Sequence, residues 1–134
     1  MFRKVLRSKL HQPRVTACEP EYVGSITIDA DLLRAAALRP NESVLVADIE
    51  TAARFETYII RGEAGSGTVA INGAAAKLVN PGDRLIVLGF GFLEPAELDQ
   101  HQAQVVVCDE NNAVAERLIY DSSCEAAGAE AGSL

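Results

Sequence analysis

The chain has no tryptophan, one methionine and only three tyrosines and four phenylalanines among 134 residues. A core with so few rings has to be built from Val, Ile, Leu and Ala. No apolar run approaches the ~20 residues of a membrane-spanning helix, and the start lacks the apolar stretch of a signal peptide. Cys18, Cys108 and Cys124 are an odd count with no CxxC pair, so neither a structural zinc site nor a disulfide framework is indicated. Reduced thiols in a cytoplasm are the default reading. Bases are scarce, 12 against 19 acids, for a net charge of −7. That balance argues against nucleic acid or an anionic membrane as partner.

What is present suits one folded domain. Hydrophobic residues make up 49%, enough to bury a single core at this length. The charge is unevenly spread. Arg3, Lys4, Arg7, Lys9 and Arg14 all precede the first acid, Glu19, whereas the tail from Asp121 onward carries acids and no bases. The basic start also fits a transit peptide, but Pro13, Val15 and Thr16 follow at once. In an acidic protein such a segment can line a pocket for a small anion. Residues 119–134 are small and acidic and read as a disordered tail without chemistry, leaving 1–118 as the domain.

Short β-rich runs recur between turn signals. Val5–Leu10 and Arg14–Cys18 flank Gln12-Pro13, read as a turn. Ser25–Ile28 reads as a strand, followed by a brief helix capped by Asp29 or Asp31 and closed by Pro40. Ser43–Ile49, Arg54–Ile60 and Thr68–Ile71 read as strands, with a turn at Gly62–Gly67. Asn72-Gly73 begins a tight turn into Ala74–Leu78, and Asn80-Pro81-Gly82-Asp83 is a strong turn signal. Arg84–Leu93 is a long apolar strand in which Gly89 and Gly91 suggest a bulge. Gln104–Cys108 is a further strand. Many short strands with turns between them predict a mainly-β fold, a small barrel with short helices.

The motifs fall in an ordered set: Lys9-Leu10-His11, then Tyr22-Val23-Gly24-Ser25, Arg54-Phe55-Glu56-Thr57-Tyr58 and Asn72-Gly73-Ala74-Ala75-Ala76. Over roughly residues 1–115 this set resembles the aspartate 1-decarboxylase family, whose members cut themselves at Gly-Ser and convert the serine into a pyruvoyl cofactor. The resemblance implies a six-stranded double-psi β-barrel, assembled as a homotetramer with active sites between subunits. It implies decarboxylation of L-aspartate to β-alanine for pantothenate synthesis in the cytoplasm, without metal or PLP. Lys77 after the alanines, Ile26 after Ser25 and the tail beyond residue 120 depart from the family pattern, and none touches this chemistry. The residues leave open whether a maturation helper protein takes part.

Each residue has an implied role. The Ser25 hydroxyl attacks the Gly24 carbonyl, where the lack of a Cβ makes close approach and unusual dihedrals cheap. β-Elimination and hydrolysis then leave the pyruvoyl group, a Schiff-base-forming electron sink comparable to PLP. Thr57 would stabilise the oxyanion of self-processing and also touch substrate. Lys9 and Arg54 would hold the two substrate carboxylates. Tyr58 would reprotonate the carbanion, since a free tyrosine with pKa of about 10 keeps its proton at neutral pH. Asn72, Gly73, Ala74 and Ala75 would bind substrate through the Asn72 side chain and the N–H groups opening the following turn. Tyr22 and His11 would line the site. The rival reading is a small β-barrel binding module in which Gly24-Ser25 is an ordinary turn and Lys9 and Arg54 are surface charges.

Overall fold

Ten strands and three short helical segments make up the computed structural model, which describes residues 1–125 and 129–130. The hydrogen-bonded order is β10-β9-β8-β1-β7-β4-β5-β3-β6-β2. The strands are β1 (Arg3–Arg14), β2 (Ala17–Glu19), β3 (Ser25–Asp29), β4 (Ser43–Asp48), β5 (Arg54–Gly62), β6 (Val69–Asn72), β7 (Arg84–Leu93), β8 (Gln102–Cys108), β9 (Val114–Asp121) and β10 (Ala129–Glu130). Parallel pairs β1/β8, β2/β6 and β3/β5 interrupt an otherwise antiparallel arrangement. The fold is mainly β and barrel-like, as the turn-separated runs predicted. Ten strands occur among the described residues, against the six implied for the barrel; β2 has three residues and β9 is mostly exposed, so neither carries a buried apolar run.

The core is aliphatic. Leu10, Ile26, Ile28, Leu32, Val44, Val46, Ile59, Ile71, Leu85 and Val87 are buried side by side. β4 alternates cleanly, with Val44, Val46 and Asp48 inward, so its period of two fixes its register. Leu85, Val87, Val105 and Val106 are all buried within the single chain. These side chains are therefore spent on the chain's own interior.

Gln12-Pro13 is not a turn. β1 runs through it, with a register shift between His11 and Arg14 against β7. Gln12 takes φ of 68° and Pro13 has no N–H for the ladder, so a bulge absorbs both residues while the strand continues. A second shift, between Leu6 and Ser8, falls opposite Gly89. A Cβ on Gly89 would sit 2.8 Å from Leu38 Cδ2, which explains the glycine that suggested a bend.

Asp29 is the cap of the helix α1 (Ala30–Ala36). Its Oδ1 accepts the N–H of Asp31 at 2.8 Å and of Gly65 at 3.0 Å, and its Oδ2 accepts Gly67 N–H at 2.7 Å. One buried carboxylate thus ties a helix start to the Gly62–Gly67 turn. The helix ends at Ala37, whose left-handed φ of 56° closes it before Pro40. Residues 119–121 and 129–130, expected within a tail, are strand. β9 pairs with β8 through Asp121, and Ala129 and Glu130 pair with Tyr120 and Ile119. The rest of the tail expectation, at 126–128 and 131–134, lies outside the described residues.

Where β4 meets β7, charge is packed tightly. Exposed Arg84 forks onto Glu50 through Nε at 2.8 Å and Nη2 at 3.2 Å and holds that carboxyl down at about 2. Asp48 beside it is buried. Its Oδ1 accepts the N–H of Glu50 and Thr51, but its Oδ2 faces the Asp83 carboxyl with no donor. Burial, then Asp83, pushes the Asp48 carboxyl up. An acid whose pKa is raised by folding stabilises below its unfolded value and loses that contribution as pH rises through the folded one. Asp48→Asn keeps the Oδ1 bonds and adds a donor toward Asp83. It should therefore raise stability at pH 7 by about 1 kcal/mol, or roughly 3–5 °C in Tm. The gain should shrink as pH falls through the raised folded value of Asp48 and be gone below the ordinary carboxylate value of about 4. Asp29→Asn should do the opposite and cost about 1.5–3 kcal/mol by placing an NH2 against the Gly67 N–H. Urea unfolding of both variants at two pH values checks the pair of signs.

Candidate functional site

β3 enters the sheet between β5 and β6, and Ser25 is its first residue. Ser25 is only 1% exposed although Tyr22 and Val23 just before it are 57% and 64% exposed. The chain therefore passes from solvent to interior across the Gly24–Ser25 bond. The Ser25 hydroxyl donates to the Val23 carbonyl at 2.9 Å and accepts from Asn72 Nδ2 at 2.9 Å. Asn72 lies directly across the ladder from Ser25, and the same Nδ2 donates to Thr27 Oγ1 at 3.0 Å. Both amide protons of a buried Asn72 are thus used. The reading by motif missed Thr27. The strand period of two, which sets Thr27 on the same face as Ser25, was the signal that could have found it.

Gly73 closes the other side. Its φ is +78°, and a Cβ there would fall 2.5 Å from Gly24 Cα and 2.9 Å from Gly24 N. By contrast, a Cβ on Gly24 itself would meet nothing within 4 Å. The backbone that comes close to Gly24 is that of Gly73, and Gly73 is the residue that must lack a side chain there. Ala74 and Ala75 follow in a single 3-10 turn, Gly73–Leu78, with Ala74 exposed, Ala75 half-buried and Ala76 in the core.

β5 supplies the neighbouring residues. Its parallel register with β3 pairs Ile26 with Ile59, and continuing that register sets Tyr58 level with Ser25 and Thr57 level with Gly24. Thr57 is half-buried and Tyr58 is 37% exposed. Arg54, Glu56 and Tyr58 alternate onto the exposed face of β5, so Arg54 and Tyr58 share a side.

Lys9 and His11 stand apart. They share a face of β1, and β7, β4 and β5 separate β1 from β3 in the sheet order. Lys9 is half-buried, and no ion pair of Lys9 occurs among the described residues. His11 Nδ1 is buried without a partner. Burial, then the charges of Lys9 and Arg84, lower the His11 pKa, so its ring is neutral at pH 7. Surface cavities of about 230–410 Å³ lie elsewhere, and Ser25, Tyr58, Lys9 and Arg54 line none of the four described.

No group of three metal-ligating side chains occurs among the described residues. Cys108 is no thiolate either, since burial pushes its thiol up to about 12. What the geometry defines is a small mainly-β protein that buries one serine hydroxyl and bonds it to the carbonyl two residues upstream and to an asparagine across the ladder. A sequence model described as aspartate decarboxylase matches residues 1–115. An aspartate 1-decarboxylase of Geobacillus sp. (strain WCH70) is 45% identical over 121 residues, covering 90% of this chain and 95% of that protein. One from Shouchella clausii (strain KSM-K16) is 47% identical over 118 residues, covering 88% and 93%. The chain belongs to the aspartate decarboxylase family.

Asn72→Ala should leave the buried Ser25 and half-buried Thr27 hydroxyls without their shared donor and cost the uncut protein about 1–3 kcal/mol. Thr27→Val removes one acceptor and should cost less, about 1 kcal/mol. Equal losses in urea unfolding would break the assignment of Asn72 as the bridge.

Proposed function

We propose that this chain is a self-processing, pyruvoyl-dependent aspartate 1-decarboxylase that converts L-aspartate to β-alanine and CO2 in the cytoplasm. The observation that carries the reading is the buried Ser25 hydroxyl, held by Asn72 and Val23 beside a Gly24 that Gly73 crowds from below. In the proposed cut, Ser25 Oγ adds to the Gly24 carbonyl carbon, the peptide C–N bond breaks and an ester forms with a free amine at position 25. Loss of the Gly24 carboxylate takes the Cα proton of residue 25 and leaves a double bond. Water then converts that enamine to a ketone and releases ammonia. No imidazole or carboxylate is among the hydrogen-bond partners of Ser25, so the attack has no strong base and should be slow.

Once formed, the pyruvoyl ketone supplies an electron sink for loss of CO2. The residues around it fit that use. Tyr58, level with Ser25, is the proton donor in this reading, and Arg54 on the same face of β5 takes a substrate carboxylate bidentately. Thr57, level with Gly24, stabilises the oxyanion of the cut and then touches substrate. Asn72 through Ala75 and Tyr22 complete the lining. In the hydrogen-bonded order β7, β4 and β5 lie between β1, with Lys9 and His11, and β3, with Ser25; in the homotetramer of this reading a second copy brings Lys9 and His11 to Ser25. Exposed Phe2, Phe92 and Leu78 give such contacts apolar material. The unprocessed binding module has no comparable support, since it leaves the Gly73–Gly24 contact without a purpose.

Intact mass tests the central step. Wild type should give a fragment ending at Gly24 and a larger one that resists Edman sequencing, and Ser25→Ala should stay whole. Tyr58→Phe should be cut yet decarboxylate at least ~100-fold more slowly, as expected for loss of a general acid. Thr57→Val should stall uncut. Wild type that remains one chain after prolonged warming would end the proposal.

A further inference from the structure

Beyond residue 115, where the family match ends, β9 carries a residue that reaches back to Lys9. Tyr120 pairs with Ala103 of β8, and β8 pairs with β1 so that Val105 lies opposite Lys9. The pairing sets Lys9, Val105, Ala103 and Tyr120 on one face of three adjacent strands. The Lys9 ammonium lies 5.8 Å from the centroid of the half-buried Tyr120 ring, within reach of a cation–π contact.

We propose that Tyr120 is a positioning residue for Lys9, holding its ammonium aimed and charged for a carboxylate of an acidic amino-acid substrate. The inference rests on Lys9 being a substrate-carboxylate binder. A lysine stem has four carbons of freedom, and freezing them when substrate arrives weakens binding. An aspartate or glutamate partner would fix the ammonium but cancel the charge that the substrate needs. An aromatic face fixes it and leaves both the positive charge and the N–H donors available. Lys9 makes no ion pair among the described residues, so its charge is free in this way. His11 shares the face two residues on with an unpartnered, buried Nδ1, a second polar group left for a ligand. The ring acts through its π face, so the hydroxyl is dispensable.

The test is steady-state kinetics on L-aspartate with the processed wild type, Tyr120→Leu and Tyr120→Phe. Tyr120→Leu should raise KM about 3–30-fold with kcat within about twofold, and Tyr120→Phe should stay within about twofold of wild type in both. In a Lys9→Met background, Tyr120→Leu should add no further rise in KM. The Lys9 ε-methylene protons should show a ring-current shift in wild type and Tyr120→Phe that Tyr120→Leu abolishes. An active wild type with unchanged KM in Tyr120→Leu, or Tyr120→Phe as impaired as Tyr120→Leu, overturns this inference alone. A correctly folded wild type inactive on L-aspartate overturns both it and the function beneath it.

Discussion

One side-chain amide holds the site together. Asn72 Nδ2 donates at once to Ser25 Oγ and Thr27 Oγ1, and through them it fixes the first turn of β3 against β6. Buried hydroxyls are costly without partners, so these bonds are obligatory once Ser25 leaves solvent. They also decide where the Ser25 proton goes. With Asn72 supplying a donor, the hydroxyl's own hydrogen turns to the Val23 carbonyl. The oxygen is thereby tied to the chain segment that precedes it. A serine hydrogen-bonded to a distant residue would be an ordinary core serine.

The same short stretch explains why glycine and asparagine stand together at 72–73. Asn72 needs its backbone in the ladder to face Ser25, and the chain must then turn sharply away. Gly73 makes that turn at positive φ, and the missing Cβ opens the gap that Gly24 fills. The requirement acts at a distance of some fifty residues in sequence, between one strand's end and another's beginning. That is why a dipeptide at 24–25 carries little information alone and much in company with residues 72–76.

How much was readable follows from this. Elements whose apolar residues alternate or cluster, such as β4, β5 and β7, stood out because burial imposed the pattern. The Asp29 cap was readable because an N-cap is a local contract between neighbouring residues. Gln12-Pro13 misled because turn chemistry and bulge chemistry use the same residue types, and only the partner strand decides between them. β9 was passed over because most of its residues are exposed, and its evidence as a strand lies in β8 rather than in itself. Around the site, the motifs pointed to Ser25, Thr57, Tyr58 and Asn72 on adjoining strands. They said nothing of Thr27, whose part comes only from sharing a face with Ser25, or of the distance in the sheet between Lys9 and Ser25.

The sheet order also bears on what a cut at Gly24 would do to the fold. Everything before the bond is β1, β2 and the short link to β3. β1 is not an edge strand. It lies between β7 and β8, antiparallel to one and parallel to the other, and Leu10 at its centre is fully buried. β2 is held in parallel register by β6. Breaking the Gly24–Ser25 bond removes a covalent link but none of these ladders. A piece so short cannot keep a core of its own, so its place is fixed by strand pairing alone. The exposed link at Tyr22 and Val23 is the part of that piece outside any strand ladder, and Val23 supplies the carbonyl that Ser25 Oγ bonds. A cut there would free this link while leaving β1, with Lys9 and His11, fixed in the sheet. A free link beside a strand held on both sides by its ladders is what would let a chain broken at Gly24–Ser25 stay folded.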